Sequence, residues 1–263
     1  ALKLERDVFV YRSYIAAGNT AVVLEEISDD PSTPVELQAV KLLATYTANP
    51  DAREMAVLTA SGWLEDAAAA SNTTVQTVVA CMMTLEQKYG DALKAIRGLA
   101  NLEQMSIAAQ ACIRLNRLDV AAEHVKAMQT KDDEATLTQL ASAWLSLAEG
   151  GSKCNEAALL FQELIDKFGA SVVLLNGLGV AFLHLGRAEE AEKTFIDAIG
   201  KNANDPDTLV NLIACAQHTG KPPEFVQRYM NQLKRTSPDH PSVKQIAGLE
   251  SMFERGAAAH AMQ

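Results

Sequence analysis

Apolar residues recur along most of this chain at steps of three and four, the period of one face of an α-helix. The clearest stretch is Leu175-Asn176-Gly177-Leu178-Gly179-Val180-Ala181-Phe182-Leu183-His184-Leu185-Gly186. Leu175, Leu178 and Phe182 form its stripe. Gly179 lets a neighbouring helix come close, and Gly186 stands where a helix ends in a left-handed residue. Ala191, Phe195 and Ala198 mark a second, antiparallel helix, stopped by Asn204-Asp205-Pro206. The layout then returns. Leu209, Leu212 and Ala216 carry a first stripe, Gly220 the stop, Phe225, Tyr229 and Leu233 a second stripe, and Pro238 the close. Gly186 and Gly220 are 34 residues apart.

Earlier segments follow the same plan less regularly. Leu137, Leu140, Ala141 and Trp144 predict a first helix, and Ala157, Phe161 and Leu164 its partner, across the longer loop 149–155. Met105, Ala108, Ala109 and Cys112 pair with Ala121, Val125 and Met128 through the turn Asn116-Arg117. Val79, Ala80 and Met83 pair with Ala92, Ile96 and Leu99 through Tyr89-Gly90. At the front, Tyr11, Tyr14 and Ile15 precede Gly18-Asn19, and Val23 and Ile27 follow; 35–46 reads as one helix and 51–70 as a second. A helix–turn–helix unit of this period resembles the tetratricopeptide repeat. It departs from that pattern where Leu replaces the usual leading Trp and where Ile213 replaces the close-packing Gly. The expected fold class is all-α: a tetratricopeptide-like, strongly curved α-solenoid of antiparallel helix pairs. About six or seven pairs run end to end, since each buries its stripe only on its neighbours. With no linker in view, one solenoid is expected over 1–255, its last segment 243–255 a capping helix, and a frayed tail over 256–263.

Composition agrees with this. Hydrophobic residues are 48% of the 263 and aromatics only 5%, so the core is chiefly Ala, Leu and Val. The net charge of −10 argues against nucleic-acid binding, which needs a basic footprint, and against adhesion to an anionic membrane surface. No apolar run approaches the ~18 residues of a spanning helix. Cys81, Cys112, Cys154 and Cys215 form no C-x-x-C pair and have no His at ligand spacing, so they read as buried small hydrophobes in a reducing compartment. Asn72-Thr73-Thr74 is then a sequon that meets no glycosylation machinery. The chain opens at Ala1-Leu2-Lys3 without Met and in mid-pattern, and is read as a trimmed or partial chain.

Chemistry-bearing motifs are missing. Gly220-Lys221-Pro222 follows a helix and lacks the earlier glycine of a phosphate loop; Gly177-Leu178-Gly179 lies inside a helix rather than after a strand. The histidines His124, His184, His218, His240 and His260 are scattered. His184 and His218 hold equivalent places in successive repeats, and a metal pair or two exposed side chains are the two readings of them. Asp29-Asp30, Asp132-Asp133-Glu134 and Glu189-Glu190 fall at turns or helix starts, where the helix dipole favours them. No convergent ionisable set is visible, so no enzyme, cofactor, metal or small-molecule substrate is expected.

What remains is surface. First helices line the concave side of such a stack. Their positions outside the packing stripe are Ser106, Gln110 and Ile113; Thr138, Ser142 and Leu145; Asn176, Val180 and Leu183; and Val210, Asn211, Ala214 and Gln217. These are the candidate partner-binding residues. Their amides bond an extended backbone on both donor and acceptor sides, and solvated helix surface is the plainer reading of each. No Lys/Arg pair repeats among them, which weakens a clamp for peptide carboxylates.

Several stretches resemble the epsilon-subunit family of the coatomer coat. They are Glu5-Arg6-Asp7-Val8-Phe9-Val10-Tyr11-Arg12-Ser13-Tyr14 with Glu36-Leu37-Gln38-Ala39-Val40; Ala135-Thr136-Leu137-Thr138-Gln139-Leu140-Ala141-Ser142-Ala143-Trp144 with Gly150-Gly151; and Thr208-Leu209-Val210-Asn211-Leu212-Ile213 with Gly220-Lys221-Pro222-Pro223-Glu224. The family usually has one further helical pair before the segment seen here. The resemblance implies a cytoplasmic subunit of the COPI coat, peripheral on Golgi membranes and coated vesicles. It also implies repeats that curl around an extended, hairpin-like element of the alpha subunit's C-terminal region, in retrograde Golgi-to-endoplasmic-reticulum and intra-Golgi transport. A general peptide-binding adaptor or co-chaperone and an enzyme are the other two classes. The first predicts a basic groove and the second a buried ionisable cluster.

Overall fold

A computed structural model describes residues 2–261. Among these residues there are 16 α-helices and no strand. They are α1 (Leu2–Ala16), α2 (Thr20–Glu26), α3 (Val35–Ala48), α4 (Arg53–Trp63), α5 (Ala67–Ala70), α6 (Thr73–Leu85), α7 (Tyr89–Ala95) and α8 (Leu102–Arg114). Then come α9 (Leu118–Lys131), α10 (Thr136–Glu149), α11 (Lys153–Phe168), α12 (Val172–His184), α13 (Ala188–Lys201), α14 (Pro206–His218), α15 (Pro223–Thr236) and α16 (Pro241–Ala261).

The turn residues act largely as the pattern predicts. Gly186 (φ 75°) and Gly220 (φ 64°) end α12 and α14 in the left-handed region, which costs a residue without Cβ little. Asn116 does the same after α8, at φ 57°. Ahead of α7 the left-handed residue is Gln87 (φ 59°), and Tyr89-Gly90 opens the helix rather than forming the turn. The helix expected over 51–70 is three pieces: a 3₁₀ turn Pro50–Ala52, then α4, then α5. The break follows from Asp66, whose side chain turns outside the helix to accept the Ala68 N–H at 2.9 Å and cap α5. At the other end α16 runs past residue 255 through Gly256 to Ala261, because the alanine-rich stretch there suits helical backbone. Met262 and Gln263, the end of the expected tail, lie outside the described residues.

The helices group into two compact units, Ala1–Ala141 and Ser142–Gln263. In the first, α3, α6 and α8 stack side by side, with α4, α7 and α9 packed against them and α1–α2 on α3. Its main core gathers Ala39, Tyr46, Val57, Val75, Val79, Met82, Ile96 and Ala108; a smaller, separate cluster holds Val8, Val23, Ile27, Val40 and Ala44. In the second unit α12 lies between α11 and α13 and also touches α14, and α14 packs on α15. Phe161 and Phe195 are fully buried. They rest on the backbone of α12, where a methyl at Gly177 or Gly179 would fall closer than 3.0 Å to their rings.

Candidate functional site

First and second helices are buried differently, and this decides what surface is left. The second helix α13 buries one stripe, Ala191, Thr194, Phe195 and Ala198. The first helix α8 buries Gln104, Ser106, Ala108, Ala109, Ala111 and Cys112, which spread around most of its circumference. A first helix meets its own partner, the preceding second helix and the neighbouring first helix, so only a narrow strip escapes.

Burial corrects part of the predicted lining. Thr138 is fully buried and Leu145 is 8% exposed, so both lie inside the chain rather than on its surface, as does Ser106. The expected stripe of α10 is displaced: Thr138, Ala141, Ala143, Leu145 and Ser146 are buried, while Leu137 is exposed. In the first unit Gln110 and Ile113 are half-buried. In the second unit Ser142, Asn176, Val180, Leu183, Val210, Asn211 and Ala214 are half-buried and Gln217 is exposed. Val180 and Leu183 pack on the cluster of Ala191, Phe195, Leu212 and Cys215, and Val210 on that of Leu209, Ile213, Leu233 and Val243. The strip along α12 and α14 is thus a set of partly covered apolar side chains with amides at one end.

Those amides bond to the next helix. Asn176 Nδ2 donates to Thr208 Oγ1 at 2.8 Å and to Asp205 Oδ2 at 3.3 Å, and Asn176 Oδ1 accepts from Asn211 Nδ2 at 3.1 Å. Asp205 also caps α14, accepting the Thr208 N–H at 2.9 Å and the Thr208 hydroxyl at 2.6 Å. The first unit has the counterpart. Asn72 Nδ2 donates to Glu36 Oε1 at 2.8 Å, tying α6 to α3, and fully buried Gln104 donates to Gln76 Oε1 at 3.0 Å, tying α8 to α6. Within each unit a polar ladder therefore joins first helices near their N-terminal ends, α3, α6 and α8 in the first and α12 and α14 in the second. The apolar periodicity hid it, because Gln104 and Thr208 occupy buried positions that a hydrophobic stripe does not mark.

The sequence did not show a pocket in the first unit. It has a volume of about 340 Å³, stays partly open to solvent and is bounded by α1, α3, α6 and α8, with Val8, Phe9, Arg12, Glu36, Thr73, Thr77 and Glu103 on its walls. Arg12 of α1 crosses it to Glu103 of α8, donating through both Nη1 and Nη2. This bond holds the guanidinium above its ordinary range. Cys81 of α6 lies in the field of both groups; burial pushes its thiol up to about 11, Glu103 adds to the rise and Arg12 opposes it.

Elsewhere the ionisable groups behave as surface or core. Cys112, Cys154 and Cys215 are buried, and Cys215 donates its S–H to the Ala188 carbonyl at 3.3 Å. Burial raises the Cys112 and Cys215 thiols as well. His184 and His218 are exposed. Among the described residues no group of three or more His, Cys, Asp or Glu is placed to hold a metal, and no helix is long and apolar enough to cross a membrane. Asp119, in the first turn of α9, accepts from Arg117, and that bond lowers its carboxyl to about 2. Glu190 is lowered in the same way by Arg187 at the start of α13.

Comparison with known proteins gives this architecture a lineage. The family model of the coatomer epsilon subunit matches residues 2–261. The chain belongs to the coatomer epsilon-subunit family. Coatomer subunit epsilon-1 of Arabidopsis thaliana is 40% identical over 98% of this chain and 87% of its own length. Its namesake in Oryza sativa subsp. japonica is 42% identical over 97% and 86%. Among solved structures, a tetratricopeptide repeat protein from Parabacteroides merdae covers 95% of this chain and 99% of its own, with a TM-score of 0.68 at 13% identity. That likeness shows the tetratricopeptide-type fold alone. The all-α, repeat-built class expected from the 34-residue period is the class observed.

Proposed function

We propose that this member of the epsilon family is a non-catalytic subunit of the COPI vesicle coat that binds the C-terminal region of the coatomer alpha subunit. It would act in retrograde Golgi-to-endoplasmic-reticulum and intra-Golgi transport, on the cytoplasmic side, peripheral on Golgi membranes and coated vesicles. The observation that supports the coat role is the family match running from residue 2 to residue 261.

The alpha-subunit assignment rests on the family resemblance together with the strip on α12 and α14. Val180, Leu183, Val210 and Ala214 offer partly covered apolar surface, and Asn211 stands beside them. Such a strip suits an extended segment that buries alternate apolar side chains. A clamp for free peptide tails needs cationic residues in the strip, and the residues named there carry none. The test is affinity capture from lysate with the chain as bait, followed by titration with the purified alpha C-terminal region. Recovery of the large coat subunit and saturable binding support the reading. Binding only to free C-terminal peptides would overturn it.

A further inference from the structure

We propose that Thr33 is a phosphorylation site for a proline-directed protein kinase, and that Lys41 receives the phosphate. The motif is Pro31-Ser32-Thr33-Pro34. The chain has two Ser/Thr-Pro steps, Thr33-Pro34 and Ser237-Pro238, and only the first has another proline two residues before the hydroxyl. Proline is the one residue without a backbone N–H, so a kinase cleft that offers no acceptor after the modified residue selects it. The structure puts the motif where such a cleft can take it. Residues 28–34 form the turn between α2 and α3, outside any helix, and all of them but half-buried Thr33 are exposed. Pro34 is already extended, at φ −52° and ψ 137°, close to polyproline II. The Thr33 hydroxyl donates to the Ser28 carbonyl at 3.2 Å, a long bond within the same turn. In the reaction the bond from the γ-phosphorus of ATP to its β–γ bridging oxygen breaks as the bond to Thr33 Oγ1 forms. ADP leaves, and the hydroxyl proton passes to the catalytic carboxylate of the kinase.

The group that meets the phosphate is on α3. Lys41 is 16% exposed, donates to the Ile27 carbonyl at 2.7 Å and pairs with Asp29 Oδ1 at 2.6 Å. Thr33 bonds to the next carbonyl along, that of Ser28, so the two side chains reach adjoining peptide groups. A pocket of about 390 Å³ opens here, lined by Ser28, Asp29, Asp30, Gln38 and Lys41, and a phosphate beside Lys41 displaces solvent rather than side chains. Asp29 is 90% exposed, so its pair with Lys41 is weakly held, and a phosphate carrying about −1.5 to −2 charge takes its place. The phosphate also precedes α3, which has no side-chain cap and whose dipole favours an anion at that end. Glu36 is engaged with Asn72 of α6, while Asp30 remains as a like charge. Phosphate therefore orders the turn through Lys41 and loosens it where Lys41 is missing.

The folded chain is incubated with a mitogen-activated protein kinase and ATP, and the sites are read by peptide mass. Thr33 is expected to take phosphate, and Thr33→Ala to remove that signal. Pro34→Ala supplies an N–H and is expected to slow the transfer on the order of tenfold, the cost of one unpaired donor. No phosphate at Thr33, or an equal rate in Pro34→Ala, overturns the site. Hydrogen exchange over residues 28–36 tests Lys41, each chain being compared with its own unphosphorylated form. Phosphate is expected to slow exchange there in the wild type and to speed it in Lys41→Gln. The same response in both chains overturns Lys41 as the receiving group. So does faster exchange in the phosphorylated wild type, a result that needs no variant. The chain is used alone, so the outcome does not depend on the coat partner.

Discussion

Phe195 rests against the backbone of α12 at Gly179, and neither residue tolerates change alone. The ring is fully buried, so it cannot swing away from an added methyl. Gly179→Ala is expected to cost about 1–3 kcal/mol by overpacking, read from urea unfolding midpoints. Phe195→Ala is expected to cost about 3–5 kcal/mol as a cavity. In the double variant the two costs should fall short of their sum, because the methyl no longer meets a ring. Tyr46 makes a second single-residue case. Its hydroxyl donates to Glu86 Oε1 at 2.6 Å, and burial, then that bond, push the phenol from the ordinary 10.0 up to about 12. The folded chain therefore holds this proton more tightly than the unfolded one. The stabilisation is complete below pH 10 and is lost as pH rises from there through about 12. Tyr46→Phe is expected to cost about 1 kcal/mol at neutral pH, and its deficit against wild type should shrink above pH 10. The glycine contact was legible in the sequence, since Gly inside an apolar helical stripe signals close approach. The Tyr46–Glu86 bond was not, because nothing local distinguishes these residues from surface ones.

At the level of helices, the turns were read more accurately than the faces. Stop residues act through their own backbone angles, and Gly186, Gly220 and Asn116 behave as their types require. A face depends on how many neighbours a helix has. Thr138 and Leu145 were expected in the lining, yet both are buried. The amides were expected to meet a partner, yet Asn176 spends its amide nitrogen and its carbonyl on α14 and the residue that caps it. Asp205 concentrates this role: it caps α14 and receives Asn176. Asp205→Ala is expected to lower stability by about 1–2 kcal/mol, measured by thermal unfolding followed by circular dichroism. The Asp205→Asn variant keeps a capping oxygen but loses the carboxylate, and should recover most of the loss only if the cap outweighs the contact with α12. Comparison of the two variants therefore separates the two roles.

For the whole molecule, the ladder divides the two asparagines of the strip into different kinds of test. Asn211→Arg replaces a residue that gives one N–H to the ladder, and is expected to weaken binding of the alpha C-terminal region at least tenfold, about 1.4 kcal/mol, with unfolding little changed. Asn176→Arg breaks three hydrogen bonds and is expected to lower thermal stability as well. Equal affinity for wild type and Asn211→Arg in isothermal titration would remove the α12–α14 strip from the interface. The sequence by itself determined the helical class, the repeat and most of its turns, the family, and the lack of motifs for chemistry. These follow from local periodicity, from backbone preferences of single residues and from stretches of neighbouring residues. Only the tertiary structure decided which polar residues join helices, which stripe positions are covered, and that Arg12 of α1 meets Glu103 of α8. Arg12 and Glu103 stand 91 residues apart, and a contact across that distance is set by the packing of α1 on α3 and of α8 on α6, not by any pattern along the chain.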